Sequence, residues 1–248
     1  MRRLLVGIAL CLIPLAAWAI QLIPFRPPAA GGDGFPVVES LTETADATSK
    51  STYSINLPAT INSGDLLVMF VTTVDDSSVT HDSLFSSGWA QLASHTPSCT
   101  SNARSSTYVK TATGSEGPTQ SFDTGGNAQF SLAAQVYRIT GWNKVEMPTG
   151  ATPSCPGQPD SPSYTPGYGL KKSLWISAAG YTNDPVTVSS YPANYTNGTA
   201  TVANAGTDQT SAVLSVRRKN EVASEDPGAF SVSPANEVVA FTVAIEPL

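Results

Sequence analysis

The sequence predicts an all-β fold: two antiparallel sheets packed as a β-sandwich with jelly-roll topology, behind an N-terminal hydrophobic helix. Short apolar runs alternate with clusters of Gly, Pro, Asn, Asp and Ser, and amphipathic stretches of helix length are absent. About ten such strands must bury their apolar faces against one another, and the stable arrangements are two packed sheets or a closed barrel, of which we favour two sheets.

A period of two identifies the strands. In 238–245, Val239, Phe241 and the two alternate residues after them share one face, and smaller residues share the other. The same alternation marks 174–178 and 211–216. Segment 66–71 is an unbroken apolar run, as expected of a central strand buried on both faces. Further strands are predicted at 37–42, 52–57, 88–94, 107–111 and 129–140, with turns at 62–65, 124–127 and 197–198. Because the last strand ends near the C-terminus, we expect it to pair beside the first strand.

The N-terminus carries an export segment. Arg2 and Arg3 precede an uncharged apolar run, and Ala17-Trp18-Ala19 supplies the small residues that signal peptidase requires, so we predict a signal peptide at 1–19 with cleavage after Ala19. The uncharged stretch 4–25 is also long enough, at about 33 Å as a helix, to remain as an uncleaved membrane anchor. In both cases the preceding arginines place the rest of the chain outside the cytoplasm.

Two segments follow the export signal. Residues 20–34 are rich in Pro, Gly and Ala and predict a tether. Residues 35–248 are numerous enough for one sizeable core, so we predict a single sandwich domain. The protein is therefore expected to be secreted, on the cell surface or associated with a virion.

The charge balance argues against polyanionic partners. The chain has 19 acidic residues against 13 Lys and Arg, for a net charge of −6. Nucleic-acid binding requires a basic stripe, and the basic cluster Arg217-Arg218-Lys219 is expected to be a solvated strand end. We predict no nucleic-acid partner, and membrane contact only through the N-terminal segment.

Two cysteines lie beyond the export segment. Cys99 and Cys155 occur in matching Thr-Pro-Ser-Cys contexts within turn-rich sequence. An even number of cysteines at such positions in an exported protein predicts one disulfide. A metal role is not indicated, because neither has a Cys or His neighbour at ligand spacing.

Loop tyrosines and asparagines are the candidate ligand-binding residues, since aromatic rings can stack on sugar rings while amides bond their hydroxyl groups. They are Tyr164, Tyr168, Tyr181, Tyr191, Asn194 and Tyr195. The alternative is that these rings cap the core and only their hydroxyls meet water.

The densest group of potential metal ligands is Asp75, Asp76, His81 and Asp82. Oxygen-rich loops at the ends of sandwiches can hold calcium, but the spacing matches no EF-hand or zinc motif, and a polar hairpin loop is the alternative. We predict no cofactor, with calcium as the alternative. Paired carboxylates on one strand and a Gly-x-Ser-x-Gly elbow are both absent from the sequence, so we predict that the protein is not an enzyme.

A series of short motifs spans 37–248. They are LPATINSGDLL at 57–67, SGWAQL at 87–92, ATGSEG at 112–117, YRITG at 137–141, DPGAF at 226–230 and VAIEP at 243–247. The series resembles the jelly-roll, concanavalin-like modules of phage and prophage virion-associated proteins and of some secreted bacterial surface proteins. The resemblance implies a sandwich exposed on a virion or cell surface, and it brings no defined catalytic residues.

These expectations combine into one hypothesis: a non-enzymatic structural or adhesion protein of the extracellular space or a virion surface. The alternatives are a glycan-binding module and a carbohydrate-active enzyme. Expected partners are other virion or cell-surface proteins and glycans, and a homo-oligomer is compatible with the sequence.

Overall fold

The computed structural model describes residues 33–74, 80–81, 84, 87–97, 103–148 and 152–248. These ranges form an all-β structure of antiparallel sheets, so the all-β part of the prediction is confirmed, and the predicted N-terminal helix lies outside them. The strands are β1 (Val37–Asp46), β2 (Thr52–Asn56), β3 (Leu66–Val74), β4 (Ala90–His95), β5 (Ala103–Thr111), β6 (Thr119–Asp123), β7 (Ser131–Thr140), β8 (Trp142–Glu146), β9 (Thr152–Gly157), β10 (Asp160–Ser161), β11 (Lys171–Asn183), β12 (Thr187–Ser190), β13 (Thr196–Ala203), β14 (Thr210–Val222), β15 (Gly228–Ala229), β16 (Ser231–Ser233) and β17 (Asn236–Pro247).

Each half of the chain builds its own antiparallel sheet. The first sheet has the order β1-β7-β3-β5-β4, and the second has the order β13-β14-β11-β17-β8, with β9 also paired to β17. Three two-stranded ribbons, β2 with β6, β10 with β15 and β12 with β16, lie outside these sheets. Among the described residues, no helix is long and apolar enough to span a membrane.

The second sheet repeats the topology of the first. Reading from β1 and from β8, the orders β1-β7-β3-β5-β4 and β8-β17-β11-β14-β13 match strand for strand. The registers match as well: Leu66 lies opposite Thr111 and Ile139, while Leu174 lies opposite Lys219 and Ile245. Leu66 and Thr111 are separated by the same number of residues as Leu174 and Lys219. We therefore treat 37–140 and 142–247 as two equivalent halves.

The repeat extends to the edge strands β4 and β13, which have irregularities at equivalent positions. Ala90 pairs with Val109 and Thr196 pairs with Arg217, and each pair is followed by a β-bulge, between Gln91 and Ala93 in β4 and between Thr196 and Thr199 in β13. A bulge bends and twists an edge strand, which hinders pairing with a further strand. The second bulge contains Asn197 and Gly198, so the turn predicted at 197–198 is wrong.

Three apolar clusters hold the layers together. The first lies between the two sheets and includes Val68 and Phe70 from β3 and Ile176 from β11. The second lies on the outer face of the first sheet, beneath the β2 and β6 ribbon, and the third lies on the outer face of the second sheet. Both sheets are thus covered on both faces, which explains why β3 is buried along its whole length. The central, doubly buried strand predicted from 66–71 is confirmed.

The predicted pairing of the last strand with the first is wrong. β17 pairs with β11, β8 and β9 in the second sheet, whereas β1 pairs with β7 in the first. The long strands of each half stay in one sheet, so the predicted jelly-roll connectivity is not confirmed. The turns at 62–65 and 124–127 are confirmed, with left-handed glycines at Gly64, Gly125 and Gly126 supplying the reversals.

The inner faces of the two sheets approach each other closely at Gly180 of β11. The hydroxyl groups of Thr72 and Ser105, which bond to each other at 3.0 Å, occupy the space where a side chain at position 180 would stand. A Cβ atom there would lie 2.6 Å from the Ser105 Cβ atom, well inside van der Waals contact. The absence of a side chain at 180 therefore permits this sheet separation.

We expect Gly180→Ala to destabilise the protein by about 1–3 kcal/mol, because the added methyl group forces the sheets apart. Urea unfolding of Gly180→Ala, Ser105→Gly and the double variant would measure the effect as a cycle. The double variant should lose less than the sum of the two single changes, since Ser105→Gly removes the group that the methyl meets. Additive losses would contradict the steric explanation.

Candidate functional site

Tyr181 is part of the core rather than of a ligand-binding loop. It lies in β11, is fully buried, and donates its hydroxyl hydrogen to the carbonyl oxygen of Pro234 at 2.9 Å. Burial raises the pKa of Tyr181 to about 12. The ring is therefore not presented to a ligand from solution.

Tyr191, Asn194 and Tyr195 lie together on the outer side of the second sheet. Tyr191 meets Phe230 edge to face with ring centres 6.0 Å apart, and its ring covers Gly198, where a Cβ atom would stand 2.6 Å away. Asn194 is exposed in a left-handed turn with φ of 66°. Both tyrosines pack against the third apolar cluster, which supports the capping role.

Tyr195 occupies the position that Trp89 has in the first half, one residue before the edge strand. Trp89 is buried against the first sheet, and its indole nitrogen donates to Gln120 Oε1 at 3.1 Å. Tyr195 is half-buried, and burial followed by the nearby Glu225 carboxylate raises the pKa of its hydroxyl. In both halves, therefore, an aromatic ring at this position covers part of a sheet.

Tyr164 and Tyr168 form a second group, in the segment that precedes β11. The Tyr164 hydroxyl donates to Glu146 Oε2 at 3.3 Å, and the amide of Gly167 donates to the same oxygen at 2.6 Å. Tyr168 donates to Ser173 Oγ at 3.1 Å. Both rings are half-exposed, so these two tyrosines remain candidates for contact with a ligand.

The structure brings together two carboxylates that are far apart in the sequence. Glu146 lies opposite Ala244, and Glu246 lies opposite Lys144, so both glutamates share the outer face as diagonal neighbours on β8 and β17. Such neighbours are roughly 7–8 Å apart. Sequence reasoning considered pairs only within one strand and missed this one.

Both of these carboxylates are neutralised by neighbouring groups. Lys144 forms an ion pair with Glu146, and this hydrogen bond lowers the pKa of Glu146 although burial opposes the shift. Glu246 accepts a hydrogen bond from Asn143 Nδ2 at 2.9 Å and lies 3.6 Å from Lys171 Nζ. A general acid in glycoside hydrolysis requires a raised pKa, and the partners of Glu146 act in the opposite direction.

The sequence Ser-Glu-x-Pro occurs in both halves, and in the second half it contains the buried carboxylate of Glu225. Glu225 pairs with Arg218 at 2.7 Å, and its counterpart Glu116 lies 3.6 Å from Lys110. Burial alone would raise the pKa of Glu116, but hydrogen bonds from Thr113 and Gly114 outweigh it and lower the value to about 2. The repetition of this ion pair indicates that Glu225 is structural.

His81 is a buried structural residue. Its Nε2 atom bonds to Thr73 Oγ1 and its Nδ1 atom to Ser106 Oγ, each at 2.9 Å, and the ring edge meets Phe122 at 5.0 Å. Burial, followed by the positive charge of Arg104, lowers the pKa of His81 to about 3. With both ring nitrogens engaged, His81 has no lone pair directed at a metal ion.

The remaining metal and disulfide predictions fall partly outside the described residues. Asp75, Asp76 and Asp82 lie outside them, and within them no group of three or more His, Cys, Asp or Glu could hold a metal ion. Cys155 lies in β9, whereas Cys99 lies outside the described residues, as does Ala19. The disulfide and the cleavage after Ala19 therefore stay predictions.

Comparison with known proteins returns no match: neither a family model, nor a curated protein, nor a solved structure resembles the chain significantly.

We expect His81 to make the protein sensitive to mild acid. A histidine whose pKa is lowered on folding stabilises the native state above the unfolded pKa of about 6.5, and this contribution falls by roughly 1.4 kcal/mol per pH unit below it. Urea unfolding between pH 5 and pH 6.5 would measure the slope, above the range in which most carboxylates titrate. His81→Gln should be less stable at pH 7 but should show a clearly smaller slope. Burial also lowers the pKa of His95, so His95→Gln is the comparison and should reduce the slope less than His81→Gln does. An unchanged slope in His81→Gln would contradict the assignment.

Proposed function

We propose that the protein is a non-enzymatic structural or adhesion protein, exported and displayed in the extracellular space, on a cell surface or on a virion. The main support is the engagement of its polar side chains. Among the described residues, each buried carboxylate has a polar partner: Arg138 for Asp65, Arg218 for Glu225, Thr182 for Glu237, and Asn143 with Lys171 for Glu246. Because these buried carboxylates are bound to neighbouring polar groups, they stabilise a rigid folded structure.

The layered architecture also favours this proposal. Each sheet is covered on its outer face, and large exposed apolar side chains in the described part are limited to Leu170 and Leu248. Export and display rest on the N-terminal segment, whose basic start and Ala-x-Ala site are typical of a signal peptide. Such coverage favours persistence outside the cell, because strands with many buried apolar contacts open only at a high free-energy cost.

The carboxylate pair Glu146 and Glu246 provides the sharpest test. We expect the purified chain to release no products from a panel of polysaccharides, and Glu146→Gln to change stability only. The measurement is reducing-sugar release over long incubation, with Glu116→Gln as a matched control that removes a structural carboxylate elsewhere. Hydrolysis by the wild type that disappears in Glu146→Gln but persists in Glu116→Gln would favour the enzyme and refute the proposal.

Glycan binding is the second candidate, and the half-exposed rings of Tyr164 and Tyr168 beside Glu146 favour it. A carbohydrate array should then show millimolar to micromolar binding that Tyr168→Ala reduces about tenfold, within the range for a lost stacked ring. Tyr168→Phe is the control, because it keeps the ring and loses only the bond to Ser173. Absence of any signal at high protein concentration would exclude this candidate.

A further inference from the structure

Two equivalent cavities open where the edges of the sheets meet. The first, of about 230 Å³, lies between β1 and the β13 and β14 pair and is lined by residues that include Val38, Leu174, Thr196, Arg217 and Lys219. The second, of about 400 Å³, lies between β8 and the β4 and β5 pair, and its lining includes Val145, Leu66, Ala90, Val109 and Thr111. In the order in which they are named, each of these residues of the first cavity corresponds by strand register to one of the named residues of the second cavity.

Both cavities have basic residues in their lining, but they differ in charge at two equivalent positions. Arg217 of the first cavity stands where the second has Val109, since each pairs with the first residue of its bulged edge strand. Lys219 stands where the second cavity has Thr111, opposite the equivalent leucines. The fold therefore accepts an apolar and a neutral residue at these two positions, so the architecture does not require the basic side chains of Arg217 and Lys219.

Arg217 differs from the other basic residues of the described part. In the described part of the chain, every other Lys and Arg side chain forms an ion pair or a hydrogen bond. The guanidinium of Arg217 forms neither, although the residue is half-buried. The Arg217 side chain lines the first cavity, so its guanidinium is available to an anion there. Its five donors match the oxygens of a carboxylate in a bidentate arrangement.

A carboxylate already lies at the edge of this cavity. Asp33 pairs with Lys219 at 3.2 Å, and Lys172 donates to the Asp33 carbonyl oxygen at 3.1 Å. The hydrogen bond from the backbone amide of Phe35 lowers the pKa of Asp33; burial opposes this shift, and Lys219 and Lys172 add to the lowering. Asp33 therefore forms its ion pair with Lys219, and the guanidinium of Arg217 remains without a carboxylate partner among the described residues.

We propose that the first cavity binds a small carboxylate-bearing polyhydroxy compound of the uronic-acid type, with Arg217 as the contact for the anion. Val37, Val38 and Leu174 offer an apolar floor for the carbon face of a sugar ring, and Thr196 and Asn197 offer polar groups for its hydroxyls. The volume lies below the roughly 300 Å³ typical of pockets for drug-sized ligands, so a single ring fits better than a longer chain. This site uses none of the tyrosines considered above, and its test is independent of theirs.

The test is titration of the ¹⁵N-labelled protein with glucuronate while backbone amide shifts are followed. We expect saturable low-millimolar binding with the largest shifts at 37–38 and 196–197. Glucose, which lacks the carboxylate, should bind at least tenfold more weakly, as should inorganic sulfate, which lacks the ring. Arg217→Val, which installs the residue of the second cavity, should lose at least tenfold in affinity, in line with a lost charge-assisted hydrogen bond.

Two further variants sharpen the result. Lys50→Gln removes an equal charge from a surface pair with Asp46 and should leave the affinity unchanged. Asp33→Asn frees Lys219 and should tighten binding severalfold. The proposal fails if glucuronate does not saturate the shifts, if Arg217→Val binds as the wild type does while its spectrum remains folded, or if glucose or sulfate binds as tightly as glucuronate.

Discussion

A hydrogen-bond network centred on Gln135 fixes how the two sheets face each other. The Gln135 amide donates to Thr201 Oγ1 and to the Val213 carbonyl, both at 3.0 Å, and accepts from Ser215, which also bonds the Tyr137 hydroxyl at 2.6 Å. Apolar contacts between the sheets are non-directional and tolerate sliding. A buried amide does not, because any shift would leave its donors and acceptor unsatisfied at a cost of about 1–3 kcal/mol each. The network therefore sets the register of one half against the other.

The repeat explains why neither half is complete alone. Each sheet presents an apolar inner face that only the other sheet covers, while its own ribbons and loops cover the outer face. The Ser-Glu-x-Pro turn, its ion pair with Lys110 or Arg218, the covering aromatic at Trp89 or Tyr195 and the bulged edge strand all recur. These shared features are the ones that the architecture requires.

The sequence predicts the strands better than their arrangement. Period-two alternation located β11, β14 and β17, because side chains on a pleated strand alternate between faces whatever the strand pairs with. An unbroken apolar run located β3. Pairing depends on contacts between distant segments, so the partner of β17 was predicted wrongly. The repeat is difficult to recognise in the sequence, because the two halves share few identical residues apart from Ser-Glu-x-Pro. His81 lies in a stretch rich in Asp and Ser, which gave no sign that its ring would be buried among hydroxyl groups.

Comparing equivalent positions separates the requirements of the fold from those of binding. Where both halves carry the same kind of residue, as at Leu66 and Leu174, packing accounts for the choice. Where they differ in charge, as at Val109 and Arg217, packing cannot, because the same backbone position is satisfied by an apolar residue in the other half. The Arg217 guanidinium has no ion pair or hydrogen bond among the described residues, and the first half shows that the fold does not require a charge at this position. Its retention in a chain with a net charge of −6 is therefore best explained by an anion that the second half contacts and the first does not.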